Sequence, residues 1–561
     1  MITHEVENQA PPRVGVDEFA ANVPLVEAVA RWGSGAAAGS RGDGNGPDDA
    51  ARVLHEIGEL VGSAAFQRDA ELANTRTPEL RTHDRWGHRV DEVDYDDAYH
   101  RVIRSAVGRG AHTGAWAEPG PGANVDRAAA FLLFAQVEPG HACPVSMTHA
   151  AVPVLQQAAP GLIDDWMPRL LSREYDPRLV GGPAKPSALV GMAMTEKQGG
   201  SDVRANTTRA EPTGDDGSWG ARYRLTGHKW FCSAPMSDAF LVLAQAPGGL
   251  SCFFVPRVLP DGSRTVFRIQ RLKDKLGNRS NASSEVEFDG TDGWLVGEEG
   301  RGVATIVQMV TRTRLDCVLG TAAGMRQAVA EAAWHVRNRR AFGALLVDQP
   351  AMTAVVADLA LESEAATITA MRLARAYDDD ASDADRAFRR LATAVAKYWV
   401  CKRGPEHAYE ALECLGGNGY TEGFPLARRY REQPLLAIWE GSGNVIALDV
   451  LRVLAREPDA FEAFFAVVGD AEGEHPALDL ELAEARSVVA EIGRADAATA
   501  ALRARELAER LALVLQASLL VQHAPSAVAD AFVRSRIEGR AGSLYGSLPS
   551  GVDLAAILAR A

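Results

Sequence analysis

The sequence predicts an α+β fold in which a small antiparallel β domain interrupts a mainly helical chain, and three observations lead to this prediction. Apolar residues recur at helical spacing before and after the middle of the chain, as in "DRAAAFLLFAQV" (126–137). Between about Leu189 and Leu295, short segments rich in β-branched and aromatic residues alternate with turn clusters such as "EPTGDDGSWG". The last hundred or so residues are a helical tail rich in Ala, Leu, Glu and Arg.

The chain of 561 residues is longer than one hydrophobic core normally serves, so several domains are expected. We predict an N-terminal helical region (1–188), a β-barrel or sandwich (189–298), a four-helix-type bundle (299–456) and an extra C-terminal helical domain (457–561). Within the first region, the stretch "GSGAAAGSRGDGNGPDD" (33–49) is predicted to be a flexible connector.

Composition and charge narrow the class of protein. Apolar residues make up 47% and charged residues 24%, as in ordinary globular proteins, and no apolar run reaches the roughly 18–20 residues of a membrane span. The six cysteines lie far apart without a CxxC pair, and the start lacks a secretory signal, so we predict buried thiols, no metal site and a cytoplasmic location. A net charge of −15 disfavours a polyanion-binding surface over the whole protein.

The first motif that could carry chemistry is "MTEKQGGSD" (194–202), at the start of the predicted β domain. Gly199 and Gly200 allow a ligand to approach the backbone closely, and the hydroxyls of Thr195 and Ser201 could bind a phosphate or a ring edge. A simple glycine turn between strands explains the same residues. The motif matches neither a Walker loop nor a GxGxxG fingerprint, so a Rossmann fold is not supported.

The second motif is "GHKWFCSAP" (227–235). The indole of Trp230 could stack on a flat cofactor while Ser233 forms a hydrogen bond to it. In a strand, however, Trp230 is more often part of the core and Lys229 a solvated side chain.

The third and fourth motifs lie in the second helical region. The "RNRRAFG…DQP" stretch contains Arg339, Phe342 and Gln349, and an arginine there could bind a diphosphate or simply complement a helix C-terminus. The glycines of "LECLGGNGYTEG" (412–423) could pass closely over a ligand or merely end a helix.

The fifth motif, "IWEGSGN" (438–444), places Glu440 between an indole and a flexible triplet, just before a predicted helix. A glutamate at this position is either a catalytic base or a solvated residue that favours the positive end of the helix dipole.

The order of these motifs resembles the acyl-CoA dehydrogenase superfamily of flavoproteins over roughly residues 120–456. The spellings "MTEKQGGSDVRANTTRAE", "LKDKLGNRSNASSEVEF" and "AIWEGSGN" resemble its AidB-like branch, which is linked to the adaptive response to DNA alkylation. That branch also has a long helical N-terminal region and an extra C-terminal helical domain.

The resemblance implies FAD in a cleft of the β domain and the helical regions, and a homodimer or homotetramer in which some residues reach the FAD of a neighbouring subunit. The residues that it implies for binding FAD are Met194, Thr195, Gly200 and Ser201, Trp230 and Ser233, then Arg339, Phe342 and Gln349, Gly416, Gly417 and Asn418, and finally Trp439, Ser442 and Asn444. Arg339, Gln349 and residues 416–418 are those expected at the neighbour's FAD, although Gln349 follows Phe342 by seven residues where many relatives have eight.

The resemblance also implies that Glu440, in the position of a family "YEGT" glutamate, is the base that removes the α proton of an acyl-CoA thioester. A dry, aromatic-walled cleft would raise the pKa of this carboxyl. Some relatives carry the base just before the arginine of the long helix, where this chain has Thr313. Asp316 is the runner-up, although a surface aspartate paired with Arg312 explains it equally well, and Arg452 is a candidate counter-ion of Glu440.

Three functions therefore remain open at this stage. The first is an FAD-dependent dehydrogenase of acyl-CoA-like thioesters, and the second is a flavoenzyme of the same fold acting on a small nitro or alkylating compound. The third is a DNA-protective protein with little dehydrogenase activity. Residues 457–561 hold nine Arg, no Lys and sixteen Asp plus Glu, a net charge of −7, so DNA binding is expected to be weak at most.

Overall fold

A computed structural model describes residues 3–38, 47–181 and 184–561 of the chain. The helices are α1 (Val23–Trp32), α2 (Ser34–Ala38), α3 (Pro47–Gly62), α4 (Ala64–Thr75), α5 (Asp97–Gly108), α6 (Gly114–Ala117), α7 (Ala123–Val137), α8 (Ala142–Ala158), α9 (Ile163–Leu170), α10 (Gly302–Asn338), α11 (Pro350–Arg375), α12 (Asp383–Glu413), α13 (Pro425–Leu436), α14 (Gly443–Arg456), α15 (Pro458–Gly469), α16 (Pro476–Arg494), α17 (Ala497–His523), α18 (Ser526–Phe532) and α19 (Leu554–Leu558).

The strands are β1 (Glu79–His83), β2 (Arg89–Asp94), β3 (Val190–Ala193), β4 (Arg209–Gly217), β5 (Gly220–Ser233), β6 (Ala239–Ala246), β7 (Gly249–Pro256), β8 (Arg268–Leu272), β9 (Ser283–Val296), β10 (Arg340–Ala341) and β11 (Ala344–Leu345). Strands β3 to β9 thus fall within the range predicted for the β domain. The predicted α+β fold class is confirmed.

The chain divides into two compact units. A helical unit comprises Met1–Ala64, Gly120–Val137 and Cys317–Ala561, and a β-containing unit comprises Ala65–Pro119 and Glu138–Asp316. The boundaries of the four predicted domains remain a prediction, since each compact unit combines segments from distant parts of the chain.

The sheet of the β-containing unit closes on itself. Strands β6, β4, β5, β9 and β7 pair in that order, and β7 pairs back onto β6, while β3 and β8 add at β6 and β9. The predicted choice between barrel and sandwich is thereby resolved in favour of a barrel. The prediction of an antiparallel sheet is correct for most strand pairs and was wrong for two, because β3 and β4 each run parallel to β6.

The barrel core is built from the alternate, inward-facing residues of its strands. Phe240 and Val242 on β6 and Phe253 and Val255 on β7 are fully buried, as expected where successive inward positions of antiparallel neighbours meet. The long strands β5 and β9 pair from Arg222–Trp294 to Ser233–Ser283, which brings the "HKWFCS" segment alongside residues 283–287.

Two features of the first 188 residues differ from the sequence-based expectation. An antiparallel hairpin, β1–β2, lies within the region predicted to be helical. The predicted connector 33–49 is only partly a loop, because α2 covers Ser34–Ala38 and α3 begins at Pro47, while residues 39–46 lie outside the described residues.

The helical unit is organised around α11 and α12. Almost every residue of α11 from Val356 to Ala374 is buried, which identifies it as a central helix surrounded by others. Helix α12 begins with a capping box, in which Ser382 and Asp385 bond reciprocally to each other's backbone N–H groups. Short polar caps of this kind satisfy backbone donors that packing cannot reach.

Buried arginines attach the C-terminal residues to α11. Arg536 pairs with the buried carboxylates of Asp358 and Glu362, and Arg560 pairs with Glu364 and Glu27 at 2.7 Å each. Burial alone would raise the pKa of Glu362, but the Arg403 and Arg536 guanidinium groups lower it to about 2. Residues 457–561 therefore belong to the same compact unit as the bundle.

Across the three described ranges of the chain, no helix combines the length and the apolar character that a membrane crossing requires.

Candidate functional site

The glycine-containing loop after β3 is a tight turn fastened to β5. Glu196 and Gly199 exchange backbone hydrogen bonds of 3.1 and 3.2 Å, and the carbonyl of Thr195 accepts the N–H of Trp230 at 2.8 Å. A β-carbon at Gly200 would lie 2.5 Å from the Thr195 hydroxyl oxygen, so only glycine fits there. The loop thus presents Met194, Thr195, Gly200 and an exposed Ser201 beside Trp230.

A buried ion pair fixes this loop. The Lys229 Nζ atom lies 2.8 Å from the Glu196 carboxylate, and neither side chain is exposed to solvent. The same ammonium donates to the Leu243 carbonyl at 2.7 Å, and Glu196 accepts the backbone N–H groups of Thr207 and Thr208. The expectation that Lys229 is solvated was therefore wrong.

The ionisation of this pair follows from its surroundings. Burial would raise the pKa of Glu196, but the Lys229 ammonium and the hydrogen bonds of Thr207 and Thr208 hold it well below its usual range. Burial lowers the pKa of Lys229 to about 8, so both groups are charged at neutral pH.

Trp230 is partly exposed and belongs to a cationic surface, which argues against a core role. The Lys273 Nζ atom lies 3.1 Å from the centroid of its ring, and the Arg271 guanidinium lies 5.6 Å away. Lys273 and Arg271 both pair with Glu285 on β9. An exposed indole held among cations suits a flat, electron-poor or anionic ligand.

Ser233, three residues further along β5, lies in a chain of polar contacts. Its hydroxyl is 3.0 Å from that of Ser283, and Ser283 Oγ accepts from Lys275 Nζ at 3.2 Å. The predicted β-domain residues Met194, Thr195, Gly200, Ser201, Trp230 and Ser233 are thus on two adjacent segments.

The Glu440 segment is a turn between α13 and α14 in the helical unit. Glu440 is a non-glycine residue with φ of +62°, followed by Gly441 with φ of +117°. A glutamate in the left-handed region is strained, and such strain is retained where the surroundings fix the turn. The side chains of Trp439 and Glu440 are both partly buried.

Lys397 of α12 is the group that fixes this turn. Its side chain is 1% exposed, and its ammonium donates to the carbonyls of Leu436 at 2.7 Å and Gly441 at 3.0 Å. These two carbonyls lie on either side of Glu440, and the first is at the C-terminal end of α13, where a cation is favourable. Lys397 therefore sets the backbone conformation from which the Glu440 carboxylate projects.

The residues after Glu440 begin α14. Ser442 is the residue before its first turn, and the exposed Asn444 accepts a 2.8 Å hydrogen bond from the guanidinium of Arg505 on α17. A helix of the C-terminal region thus contacts the "WEGSGN" motif directly.

Asp316 was the alternative base and Arg452 the proposed counter-ion of Glu440. Asp316 on α10 is only 2% exposed, so its interpretation as a helix-surface residue was wrong. Arg452 forms a 2.8 Å ion pair with Asp449 on its own helix and is about half exposed, so its role as the counter-ion of Glu440 stays a prediction. Thr313 is buried and donates to the Val310 carbonyl at 3.0 Å.

The "RRAFG" motif forms a short hairpin, β10–β11, at the end of α10. Phe342 and Gly343 at its tip have φ of +52° and +84°, as tight two-residue hairpins require, and the Phe342 side chain is 100% exposed. The Gln349 side chain donates to the Ala341 carbonyl at 2.9 Å. The hairpin thus presents a fully exposed phenylalanine at its tip.

An N-terminal segment lies along this hairpin and the GGNG turn. Arg339 donates to the carbonyl of Asn8, and the Asn8 side chain exchanges hydrogen bonds of 2.9 and 2.8 Å with the Arg340 backbone. Asn418, in a short helical turn over Gly416–Tyr420, lies 3.4 Å from Gln9. Residues 8 and 9 thus connect Arg339 and Asn418.

The residues implied for binding FAD carry chemical groups that suit this cofactor. Trp230 offers a partly exposed indole, Thr195, Ser201 and Ser233 offer hydroxyls, and Gly200 is exposed at a position where a β-carbon would meet the Thr195 side chain. Gly416, with φ of +58°, and Gly417 have nothing within 4 Å of an added β-carbon, so they present open backbone.

Several residues of the site could not have been identified from motifs. Lys397, Arg505 and Asn8 come from distant parts of the sequence and have no characteristic neighbours. Lys273 and Lys275 did have a signal, because they belong to the "LKDK" segment at the end of β8; β8 pairs with β9, and β9 also pairs with the "HKWFCS" segment of β5.

Comparison with protein families gives three matches along the chain. The adaptive response protein AidB N-terminal domain matches residues 8–177, the acyl-CoA dehydrogenase middle domain matches residues 191–291, and the acyl-CoA dehydrogenase C-terminal domain matches residues 300–455. AidB of Escherichia coli (strain K12) is 44% identical over 545 residues, covering 96% of this chain and 95% of that protein.

Solved structures share the same architecture. Bd2924 in its apo form has a TM-score of 0.81 and 25% identity, with 92% of this chain and 99% of that chain covered. ACDH-11 of Caenorhabditis elegans, in complex with C11-CoA, has a TM-score of 0.80 and 25% identity, with 94% and 93% covered.

Replacing Lys397 with Met should destabilise the helical unit, because the carbonyls of Leu436 and Gly441 lose the ammonium that donates to them while the side chain keeps its length. We expect a loss of about 2–3 kcal/mol in the free energy of unfolding, measured by urea titration. Lys402→Met is the matched control, since Lys402 is an exposed lysine on the same helix and should change stability by about 0.5 kcal/mol or less. Equal effects of the two substitutions would contradict the role assigned to Lys397.

Proposed function

The chain belongs to the acyl-CoA dehydrogenase family, in its AidB-like branch, and we propose that it catalyses α,β-dehydrogenation of an acyl-CoA-like thioester with Glu440 as the base. The family assigns an FAD-dependent oxidoreductase, and the predicted cofactor and enzyme class are confirmed. The observation that carries the finer proposal is the turn of Glu440, which Lys397 holds in a left-handed conformation.

The proposed role of Glu440 is to accept the α proton. The Glu440 side chain is partly buried and follows the partly buried indole of Trp439 in the turn, and a positioned carboxylate can serve as a general base. The fixed turn orients the carboxylate before substrate arrives, so little conformational freedom is lost on binding. When bound, FAD would supply the two-electron oxidant for this dehydrogenation.

A thioester substrate is supported by the relatives. ACDH-11 resembles this chain over almost its whole length and was solved with C11-CoA. We extend that ligand class to this protein as part of the proposal, without assigning a chain length. A small nitro or alkylating compound is the alternative substrate, and a panel of both classes distinguishes them.

We propose further that the protein is a homo-oligomer, a dimer or tetramer, whose partner subunit covers the β10–β11 hairpin. The support is the exposure of large apolar side chains in the helical unit, where Phe342 is 100%, Tyr420 86% and Ile438 64% exposed. In this arrangement Arg339, Gln349 and residues 416–418 would bind the FAD of that partner.

A cytoplasmic location forms part of the proposal as well. Cys232, Cys252 and Cys414 are buried thiols, and burial raises the pKa of each to about 12. Inert thiols without structural bridges are typical of reducing compartments.

A part in the DNA alkylation response is the second candidate function, and the match of residues 8–177 to the AidB N-terminal domain favours it. The ion pairs that the arginines of the C-terminal region form within the protein disfavour strong DNA binding. Arg503 pairs with Glu491 and Glu506, and Arg510 with Glu481. Arg536 is 12% exposed and bound to α11, and Arg540 pairs with Glu538.

Glu440→Gln should leave FAD content and folding intact while slowing substrate-driven loss of the visible flavin band about 10²–10⁴-fold, the usual value of a positioned base. The measurement is anaerobic stopped-flow absorbance with a series of acyl-CoA thioesters. Asp316→Asn serves as the comparison variant. Parental rates in Glu440→Gln, together with loss of reduction in Asp316→Asn, would move the base to Asp316.

Arg339→Ala should weaken FAD retention and the oligomer together, because its proposed ligand belongs to the partner subunit. FAD loss on dialysis and the mass from light scattering report the two properties. Asn8→Ala is the matched control, since it removes side-chain bonds to the Arg340 backbone but keeps the guanidinium of Arg339. If only one property changes in Arg339→Ala, the shared contact is refuted.

Duplex DNA should bind weakly and without sequence preference, and the binding should disappear between about 50 and 200 mM salt, where phosphate contacts are lost. Fluorescence anisotropy of a labelled duplex measures this. Sub-micromolar affinity at physiological salt that falls in Arg534→Ala/Arg540→Ala, but not in the control Arg494→Ala, would contradict the prediction. Arg536 is left unchanged because its removal would break buried ion pairs.

A further inference from the structure

The β-containing unit holds a cavity of about 250 Å³ that the proposed reaction does not use. It lies between α5, residues 175–179 with Lys185 and Leu189, and the residues that follow β5. None of the residues assigned to FAD lines it, although Ala234 in its wall directly follows Ser233. The volume is below the roughly 300–1,000 Å³ of sites for drug-sized ligands, so it suits a smaller molecule.

Aromatic rings form one side of this cavity. Tyr95 and Tyr99 stack with their ring centroids 4.5 Å apart, and the hydroxyl of Tyr175 lies 2.9 Å from His100 Nδ1. Burial raises the pKa of all three tyrosines and lowers the pKa of His100, so these groups are uncharged at neutral pH. Flat, uncharged walls of this kind pack best against another aromatic ring.

The charged groups of the lining are already compensated within the protein. Lys185 pairs with Asp238 at 2.6 Å, both nearly buried, and Arg178 pairs with Asp176 at 2.6 Å. Glu92 pairs with Arg81 at 2.6 Å and with Arg264. A charged ligand would therefore enter without a counter-ion and would lose its hydration, which is costly.

Three polar groups of the lining retain unused hydrogen-bonding capacity. The Ser237 hydroxyl is buried, and among the described residues it has no hydrogen-bond partner. The ammonium of Lys185 uses two of its three N–H groups, on Asp238 and on the Arg178 carbonyl. For the Tyr99 hydroxyl, the described part of the chain supplies no hydrogen bond. A buried hydroxyl left unsatisfied costs about 1–3 kcal/mol, which a ligand oxygen would recover.

We propose that this cavity is a binding site for an uncharged aromatic molecule of one or two rings that carries a hydroxyl or carbonyl oxygen. The rings pack against Tyr95 and Tyr99, and the oxygen bonds to Ser237. The site is separate from the one proposed for the thioester and does not depend on the function proposed for Glu440.

The test uses the full-length, FAD-containing protein and 2-naphthol, titrated by isothermal calorimetry. We expect saturable binding of 2-naphthol, and at least tenfold weaker binding of 2-naphthoate, because its charge would be buried. Naphthalene, which has the same rings without the oxygen, should bind about 3- to 10-fold more weakly, the worth of one hydrogen bond.

Four variants test whether 2-naphthol binds in this cavity. Ser237→Ala and Tyr99→Phe each remove one hydroxyl and should weaken 2-naphthol binding about 3- to 10-fold. Leu179→Trp fills the cavity from its partly exposed wall and should abolish binding. Ser146→Ala is the matched control, because Ser146 is another buried serine of this unit with no partner among the described residues, and it does not line the cavity.

Absence of saturable heat with 2-naphthol would overturn the proposal. So would affinity that is unchanged in Ser237→Ala, Tyr99→Phe and Leu179→Trp, provided that circular dichroism shows them folded. Displacement of 2-naphthol by undecanoyl-CoA would show that the cavity is part of the thioester site, which also contradicts a separate site. Retention of 2-naphthol in the presence of undecanoyl-CoA is the expected result.

Discussion

A buried ammonium group that donates to backbone carbonyls fixes a functional loop in each compact unit. In the β-containing unit, Lys229 holds the glycine loop through Glu196 and bonds the Leu243 carbonyl. In the helical unit, Lys397 holds the two carbonyls that flank Glu440. A lysine has three donors on one compact charge, so it can fasten several backbone segments at a single point. Its burial is tolerated because these acceptors replace the water that it loses.

The same use of buried cations explains how an acidic C-terminal region is retained on the bundle. Arg536 and Arg560 are directed inward to carboxylates of α11, so the arginines there act largely within the protein. Removing one member of such a pair costs about 3–5 kcal/mol, because the other charge stays buried. Arginines that pair with carboxylates inside the protein are not available to bind the phosphates of DNA. The net charge of −7 over residues 457–561 also disfavours DNA binding.

Much of the fold was predictable from the sequence, because periodicity and turn chemistry are local. The helical regions, the strand-rich middle and the glycine motifs all followed from neighbouring residues. The alternatives of a solvated Lys229 and a helix-surface Asp316 were wrong, because burial depends on which element packs against a residue and not on local pattern. The parallel pairing of β3 with β6 depends on strand order in the barrel, which residue types do not encode. Lys397 gave no local signal at all, since nothing in "ATAVAKYWV" indicates that its ammonium meets a turn forty residues later.

The contact of Arg505 with Asn444 links the C-terminal region to the segment that contains Glu440. The C-terminal region is attached to α11 at several points, and through α17 it also reaches the first turn of α14, immediately after the Glu440 turn. Lys397 of α12 donates to the carbonyls on either side of Glu440, and Arg505 of α17 donates to Asn444 just after the turn. The conformation of "WEGSGN" is therefore determined jointly by the bundle and by the added helices. In this chain the C-terminal helices help to support the proposed base, and their arginines stabilise the dehydrogenase fold through hydrogen bonds and ion pairs.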